Sequence, residues 1–151
     1  TDTITYGYYH GYSLFQKFKK EIAYPFGYGL SYSEFEYENF KMNDFKKEDS
    51  VLKFNFDLIN KSNVSGNEIA QLYVGFENSK IERPLKLLRG FKKIQLKPGE
   101  KKTISLQLNK SDLSYYNTEK KKWENEDISY NFYVGGSSQI KDLLKINRNI
   151  Y

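Results

Sequence analysis

Few side chains in this sequence have the chemistry of a catalyst. The single histidine, His10, stands between Tyr9 and Gly11. An imidazole titrates near neutral pH, so it can serve as a general base or contact a hydroxyl group of a sugar. No serine, cysteine or second ligand stands beside it to support nucleophilic catalysis or metal binding. We therefore expect His10 to pack, or to line a junction between domains, with a sugar contact as the alternative.

Acidic residues form two groups that could in principle act as a catalytic pair or bind a metal ion. Glu36 and Glu38 share one face of a predicted strand, about 6.6 Å apart along it. A catalytic pair needs one ionised and one protonated carboxyl group, and nothing in the sequence desolvates only one of these two. Glu124, Glu126 and Asp127 offer the oxygen ligands that Ca²⁺ prefers, but they lack the spacing of a calcium loop. We expect a solvated strand face and an exposed hairpin tip.

Aromatic residues dominate the apolar part of the composition. The chain has 151 residues, of which 17% are aromatic, and it contains 14 Tyr, 11 Phe, one Trp and no Cys. Rings bury large areas, so a core can form from few aliphatic residues. Most rings fall at positions that a core or a docking contact explains. Trp123, on a polar hairpin arm, is the exception, and we interpret it as the candidate platform for stacking a sugar ring.

The charge pattern narrows the classes of partner. The net charge of +5 comes from short lysine clusters with acidic residues nearby, whereas nucleic-acid surfaces more often show a continuous Arg-rich stripe. We expect no nucleic-acid binding. The sequence contains no apolar run of 18 residues and no signal-peptide pattern at its start, so we expect no membrane span. The composition is typical of an A+T-rich bacterial genome, and upstream sequence would decide between a cytoplasmic and a secreted location.

Alternation with period two predicts antiparallel strands that are wet on one face. From 51 to 59, the residues Leu52, Phe54, Phe56 and Leu58 point one way. From 35 to 42, the same reading places Phe40 on the face of the two glutamates. Further strands are predicted at 68–76, 85–96 (broken or bulged at Gly90), 103–108, 128–134 and 143–146, with a type II turn at Lys97-Pro98-Gly99-Glu100.

These elements predict the fold class. About seven strands with turn signals every 8–12 residues indicate an all-β antiparallel sandwich. Its core should contain side chains from both sheets, namely Phe54, Phe56, Leu72, Val74, Leu106 and Phe132. Residues 1–23 lack clean periodicity, so we interpret them as an arm or as the remainder of a preceding domain.

The segment Tyr24-Pro25-Phe26-Gly27-Tyr28-Gly29-Leu30-Ser31-Tyr32 interleaves rings with glycine and proline. Pro25 favours an extended backbone, and the glycines permit close approach to another surface. We predict that residues 6–32 form a strap that docks between two bodies. Its partner surface would lie mostly outside this chain, and in isolation the strap would fold back or self-associate. The candidate docking residues are Tyr24, Phe26, Tyr28 and Tyr32.

Ordered blocks along the whole chain resemble the C-terminal portion of glycoside hydrolase family 3, the β-glucosidase and β-xylosidase group. Tyr8-Tyr9-His10-Gly11-Tyr12 is similar to the segment by which that family leaves its α/β sandwich domain, although the Arg and Asp common there are absent. The blocks that carry the resemblance are YPFGYGLSY at 24–32, QLYV at 71–74, RPLK at 83–86, LRGF at 88–91, LKPGE at 96–100, DLSYY at 112–116 and VGGSS at 134–138.

The resemblance implies a specific organisation. Residues 33–151 would form a fibronectin type III-like (immunoglobulin-like) sandwich, and residues 1–32 an extended arm from a preceding α/β sandwich domain. The family's catalytic Asp and Glu belong to other domains, and neither of their motifs occurs here, so no catalytic residue is assigned. The implied role is a noncatalytic domain that buttresses a hydrolase of β-linked glucosides or xylosides, without cofactor or metal. The alternative is a carbohydrate-binding or protein-interaction module.

Overall fold

The protein folds into two packed antiparallel sheets and a short separate ribbon, as described by a computed structural model for residues 2–5 and 7–151. One helix, α1 (Gly11–Lys17), precedes all strands. The strands are β1 (Phe35–Met42), β2 (Val51–Asn60), β3 (Gly66–Phe76), β4 (Leu87–Leu96), β5 (Lys101–Asn109), β6 (Tyr115–Asn117), β7 (Lys122–Glu124), β8 (Ser129–Gly135) and β9 (Leu144–Asn149).

Seven of these strands form the sandwich. The first sheet has the order β1-β2-β5, the second has the order β4-β3-β8-β9, and β6 pairs only with β7. Single turns of 3₁₀ helix at Lys110–Leu113 and Ile140–Asp142 lead out of β5 and into β9. The predicted all-β sandwich is confirmed, and the ribbon β6–β7 accounts for the two strands beyond the expected seven.

Alternation in the sequence places the core between the two sheets. Leu52, Phe54, Phe56 and Leu58 all project from one face of β2 and are buried. The rings of Phe54 and Phe132 meet across the sheets, with their centroids 4.7 Å apart. Burying a side chain of this size contributes about 1.5–3 kcal/mol relative to leaving it in water. All six core residues predicted from the sequence are buried, namely Phe54, Phe56, Leu72, Val74, Leu106 and Phe132.

Strand β1 corrects one face assignment. Its pairing with β2 shifts register between Glu38 and Lys41, and Asn39 adopts a positive φ of 55°. Such a bulge rotates the following residues by one position relative to a regular strand. Phe40 therefore joins the core side and stacks on Phe54, instead of lying on the face of the glutamates as the alternation predicted.

The structure of residues 85–100 agrees with the bulge and the turn predicted from the sequence. Leu72 lies opposite Gly90 and Tyr73 lies opposite Leu88, so Arg89 is the extra residue of a bulge in a single continuous strand. Of the two alternatives for this segment, the bulged strand is correct. The turn that follows has Gly99 at a φ of 68°, and the Glu100 amide donates to the Lys97 carbonyl over 3.1 Å.

Helix α1 is the element that the sequence reading missed. Its seven residues are too few to display a helical period, and Lys19 ends the following turn at a positive φ of 51°. The helix start is fixed by Ser13, whose hydroxyl donates to the His10 carbonyl over 2.7 Å. None of the helices in the described residues is long and apolar enough to cross a membrane.

Candidate functional site

The arm formed by residues 2–5 and 7–32 crosses the outer face of the four-stranded sheet. On this face β3 presents Gln71 and Tyr73, and both are buried although they point away from the core. The Tyr12 ring from α1 meets the Tyr73 ring edge-on at 5.9 Å. The Tyr12 hydroxyl also accepts a hydrogen bond of 3.1 Å from the Leu88 amide of β4. Contacts from the arm thus replace water on the outside of this sheet.

The turn after β8 provides the main attachment point for the arm. The amide of Ser138 donates to the Phe26 carbonyl over 2.7 Å. The Ser138 carbonyl accepts hydrogen bonds from Lys86 Nζ at 2.7 Å and from Gln16 Nε2 at 3.2 Å. Ser138 therefore joins Phe26 of the segment 24–32, Gln16 of helix α1 and Lys86 of the segment before β4. We call these contacts, together with Gln71, Tyr73 and Tyr12, the arm seat.

Gly27 brings the strap backbone against the sheet. It has a φ of 85°, where a side chain would be strained, and a Cβ there would lie 2.7 Å from the Gly136 carbonyl oxygen and closer still to the Gln71 amide group. Gln71 itself donates to Gly136 over 2.6 Å and accepts from the Tyr73 hydroxyl over 2.6 Å. The close approach that the glycines suggested occurs at Gly27, whereas Gly29 has open space around its Cα.

Lys86 lies at the centre of the arm seat and is fully buried. Its ammonium nitrogen is 4.3 Å from the centroid of the Tyr73 ring and 5.0 Å from that of Tyr12. Among residues 2–5 and 7–151, no carboxylate forms an ion pair with it. Burial disfavours the charged amine and lowers the pKa of Lys86 to about 8.

Four of the sequence blocks that carried the family resemblance meet at the arm seat. Phe26 and Gly27 come from the first block, Gln71 and Tyr73 from the second, and Lys86 from the third. The last block, at 134–138, contributes Gly136 and Ser138. The sequence identifies each block separately but does not predict that the four blocks lie together in the fold. Lys86 in particular was missed, because nothing in its immediate neighbours distinguishes a buried lysine from a solvated one.

Most of the ring surface of segment 24–32 is exposed, although the Phe26 ring contacts the Tyr12 ring of the seat at 6.0 Å between centroids. The fraction of the residue surface exposed is 74% for Tyr24 and 100% for Tyr32, and Phe26 and Tyr28 are about half exposed. Ten exposed large apolar residues lie in the described part of the arm, namely Ile4, Tyr8, Leu14, Phe15, Phe18, Tyr24, Phe26, Tyr28, Leu30 and Tyr32. The backbone of the strap is thus fixed while its apolar side chains remain uncovered.

An open groove of about 590 Å³ runs beside the strap. Its wall includes His10, Tyr12, Tyr24, Phe26 and Pro84, so two of the predicted docking rings and the histidine share one surface. The backbone of His10 is engaged with Ser13 at the start of α1, and its side chain is exposed. The groove is predominantly apolar, and it offers one imidazole at its edge.

The acidic candidates are held apart in separate ion pairs. Glu36 pairs with Lys61 at 3.1 Å, and Glu38 pairs with Lys101 at 2.9 Å, both in solvent. Glu126 does not lie at an exposed hairpin tip as expected. It is almost buried, and it binds Arg83 at 2.7 Å and the Ser79 hydroxyl at 2.6 Å. The hairpin prediction failed there because Arg83, far away in sequence, draws the carboxylate inward.

Glu124 lies in the ribbon β6–β7, where lysines surround it. It is bound by Lys120 at 3.2 Å and by Lys122 at 3.1 Å. Trp123, the candidate sugar platform, is in the same ribbon and is 68% exposed. The structure therefore separates the predicted site residues into two places, with His10 and the docking rings around the arm and Trp123 on the ribbon.

Comparison with known proteins identifies the family. Residues 68–138 match the fibronectin type III-like domain model. The chain is 40% identical over 147 residues to a β-glucosidase from Kluyveromyces marxianus and 35% identical over 148 residues to thermostable β-glucosidase B from Acetivibrio thermocellus. It covers only 17% and 20% of their lengths, while 93% and 95% of this chain is matched.

Solved structures agree with the sequence relatives. A β-glucosidase from Chaetomella raphigera superimposes with a TM-score of 0.85 at 32% identity, over 93% of this chain and 22% of that one. The K. marxianus β-glucosidase, solved in complex with glucose, gives a TM-score of 0.81 at 39% identity, over 93% of this chain and 17% of that one. Residues 68–138 therefore form a fibronectin type III-like domain, and the chain as a whole is similar to a small part of the glycoside hydrolase family 3 β-glucosidases.

Proposed function

We propose that this chain is a noncatalytic accessory domain that buttresses the catalytic domains of the polypeptide to which it belongs. Residues 1–32 are the arm that arrives from a preceding α/β sandwich domain, and residues 33–151 are the supporting sandwich. The parent protein hydrolyses β-linked glucosides or xylosides, as the names of the relatives suggest. A relative from Formosa agariphila, a β-xylosidase, is 35% identical over 132 residues.

One observation carries this proposal: the arm is fastened to the outer sheet face at a few points and leaves most of its apolar surface exposed. The hydrogen bond from the Ser138 amide to the Phe26 carbonyl and the close contact at Gly27 hold the strap against the turn after β8. The Tyr24 and Tyr28 rings pack on each other at 5.7 Å between centroids, and together with Phe26 and Tyr32 they leave a large apolar area in solvent. Surfaces of this kind usually mark contact with another protein body.

The size of the relatives supports a partner within the same polypeptide. The chain spans about a fifth of the length of the curated relatives that it matches. A covalently linked partner needs no large independent affinity, because the linker keeps its effective concentration high. Burying four rings can then couple the two bodies, with about 1.5–3 kcal/mol available for each ring that becomes fully covered.

Calorimetry of the longer polypeptide tests the proposal. Replacing Tyr24, Phe26, Tyr28 and Tyr32 by serine should uncouple the sandwich, so that one cooperative unfolding transition separates into two. The matched control is Trp123→Ser, since Trp123 is also an exposed ring, 68% exposed, but lies on the ribbon β6–β7 outside the arm. An unfolding profile of the quadruple variant identical to that of the unmodified polypeptide would overturn the docking role.

A further inference from the structure

The ribbon β6–β7 has two chemically different faces. Residues that lie directly opposite each other in an antiparallel pair project to the same side. Tyr115 pairs with Glu124, and Asn117 pairs with Lys122, so these project to one face. Tyr116 pairs with Trp123 and both project to the other face. The first face is partly buried and the second is open to solvent.

The partly buried face holds the ribbon in position. The Glu124 carboxylate accepts hydrogen bonds from Asn117 at 2.8 Å and from the Tyr115 hydroxyl at 3.3 Å. The hydrogen bonds from Asn117 and the two lysines lower the pKa of Glu124 to about 2, so the network stays charged at neutral pH. The Tyr115 ring lies 5.5 Å from the guanidinium carbon of Arg83.

Arg83 connects this network to the body of the domain. It forms its almost buried ion pair with Glu126 and also lies over the Phe76 ring at 4.1 Å. A ribbon this short is not stable by itself, and contacts of this kind are what fix it. The open face is therefore presented on a rigid support.

The open face consists of an aromatic pair with a polar surround. The centroids of Tyr116 and Trp123 are 5.6 Å apart, their planes are inclined by 68°, and 68% of the Trp123 surface is exposed. Thr118, Lys121 and Asn125 lie two positions along the chain from these rings, and all three are exposed and able to form hydrogen bonds.

We propose that Trp123 and Tyr116 form a binding site for one pyranose unit of a neutral oligosaccharide. The C–H face of a pyranose is apolar and flat, so it can stack on the indole, while its hydroxyl groups reach the polar rim. The inclined Tyr116 ring closes one side of the binding site. This shape fits a single sugar unit better than an extended crystalline surface.

Charge and composition favour a neutral sugar over a protein. Segment 114–125 carries three lysines and two glutamates, so its net charge is only +1 and it offers no concentrated charge of one sign to an ionic ligand. Protein interfaces usually surround their aromatic anchors with further apolar residues. Segment 114–125 contains no aliphatic side chain at all. An isolated ring pair with hydroxyl, amide and amine groups around it matches a carbohydrate more closely.

Fluorescence titration of the full chain tests this site directly, because Trp123 is its single tryptophan. The probes are cellopentaose, xylopentaose and maltopentaose, which share the pyranose and differ in substituent and linkage. At least one should change the emission saturably. Trp123→Ala removes the signal, so that variant is compared by isothermal titration calorimetry, where affinity should fall at least about tenfold, equivalent to about 1.4 kcal/mol.

The controls separate stacking from other causes. Tyr116→Ala should weaken binding less than Trp123→Ala, and Trp123→Phe should restore part of it. Phe91→Ala, which removes a similarly exposed ring elsewhere, should leave the affinity unchanged. Absence of binding by all three sugars, or binding that survives Trp123→Ala, would overturn the proposal.

Discussion

Replacing the buried Lys86 with methionine tests the electrostatics of the arm seat. The ordinary pKa of a lysine is 10.5, and burial brings that of Lys86 to about 8. Between these two values the unfolded chain binds a proton that the folded protein does not. Stability therefore rises as the pH increases through this window and falls as the pH decreases.

The size of this effect follows from the pKa difference. Linkage gives a rise in the free energy of unfolding of about 2 kcal/mol between pH 7.0 and pH 9.5. The measurement stops at pH 9.5 because buried tyrosines act in the opposite direction. Burial raises the pKa of Tyr73 and of Tyr130 above the usual value of 10.0, so their contribution to stability is lost at higher pH.

Urea unfolding followed by circular dichroism at the two pH values is the assay. The protein should gain about 2 kcal/mol at pH 9.5, and Lys86→Met should lose that dependence, because methionine does not titrate. Lys53→Met, at an exposed position of β2, is the matched control and should retain the full rise. An equal pH dependence in the protein and in Lys86→Met would refute the reasoning.

Three other predictions concern the core, the strap and the chemistry. Phe56→Ala should lower the free energy of unfolding by about 3–5 kcal/mol in denaturant titration, as expected for deleting a buried ring, and a cost below about 1 kcal/mol would contradict the face assignment of β2. Gly27→Ala should speed amide hydrogen exchange in the strap, because a Cβ there is strained by the positive φ and clashes with Gly136. Gly29→Ala should leave the exchange unchanged, because the space around Gly29 is open. Equal exchange rates in the two variants would count against close packing at Gly27. The isolated chain should not hydrolyse aryl β-glucosides or β-xylosides, and turnover abolished by changing Glu36, Glu38 or His10 would contradict a noncatalytic role.

The local alternation of apolar and polar residues was sufficient to predict most strands of the sandwich. Strand β2 alternates without interruption, so its buried face could be assigned from sequence alone. The face of Phe40 was assigned wrongly because Asn39 adopts a left-handed backbone conformation, and nothing in the neighbouring sequence indicates it. Helix α1 escaped notice because seven residues give fewer than two full turns of periodic pattern.

The arm seat depends on contacts between distant segments, and these were not predictable. Gln71 and Tyr73 occupy alternating positions that read as a solvated face, and they are buried only because the arm lies over them. Lys86 is buried for the same reason. The inward turn of Glu126 likewise needs Arg83, 43 residues away in sequence. The alternation of residues predicts which face of a strand is apolar. It does not predict which outer face of a sheet is covered by another segment of the chain.

The central claim is that the arm is fastened to the outer sheet face while most of the ring surface of segment 24–32 remains exposed for a partner. Amide hydrogen exchange in the full chain and in a chain that begins at Ser33 measures this directly. The amides of Ser138 and Leu88 donate to the Phe26 carbonyl and the Tyr12 hydroxyl, so they should be protected in the full chain and exchange rapidly after truncation. Core amides of β2 serve as the control and should stay protected in both. Equal protection of Ser138 and Leu88 with and without residues 1–32 would contradict the account.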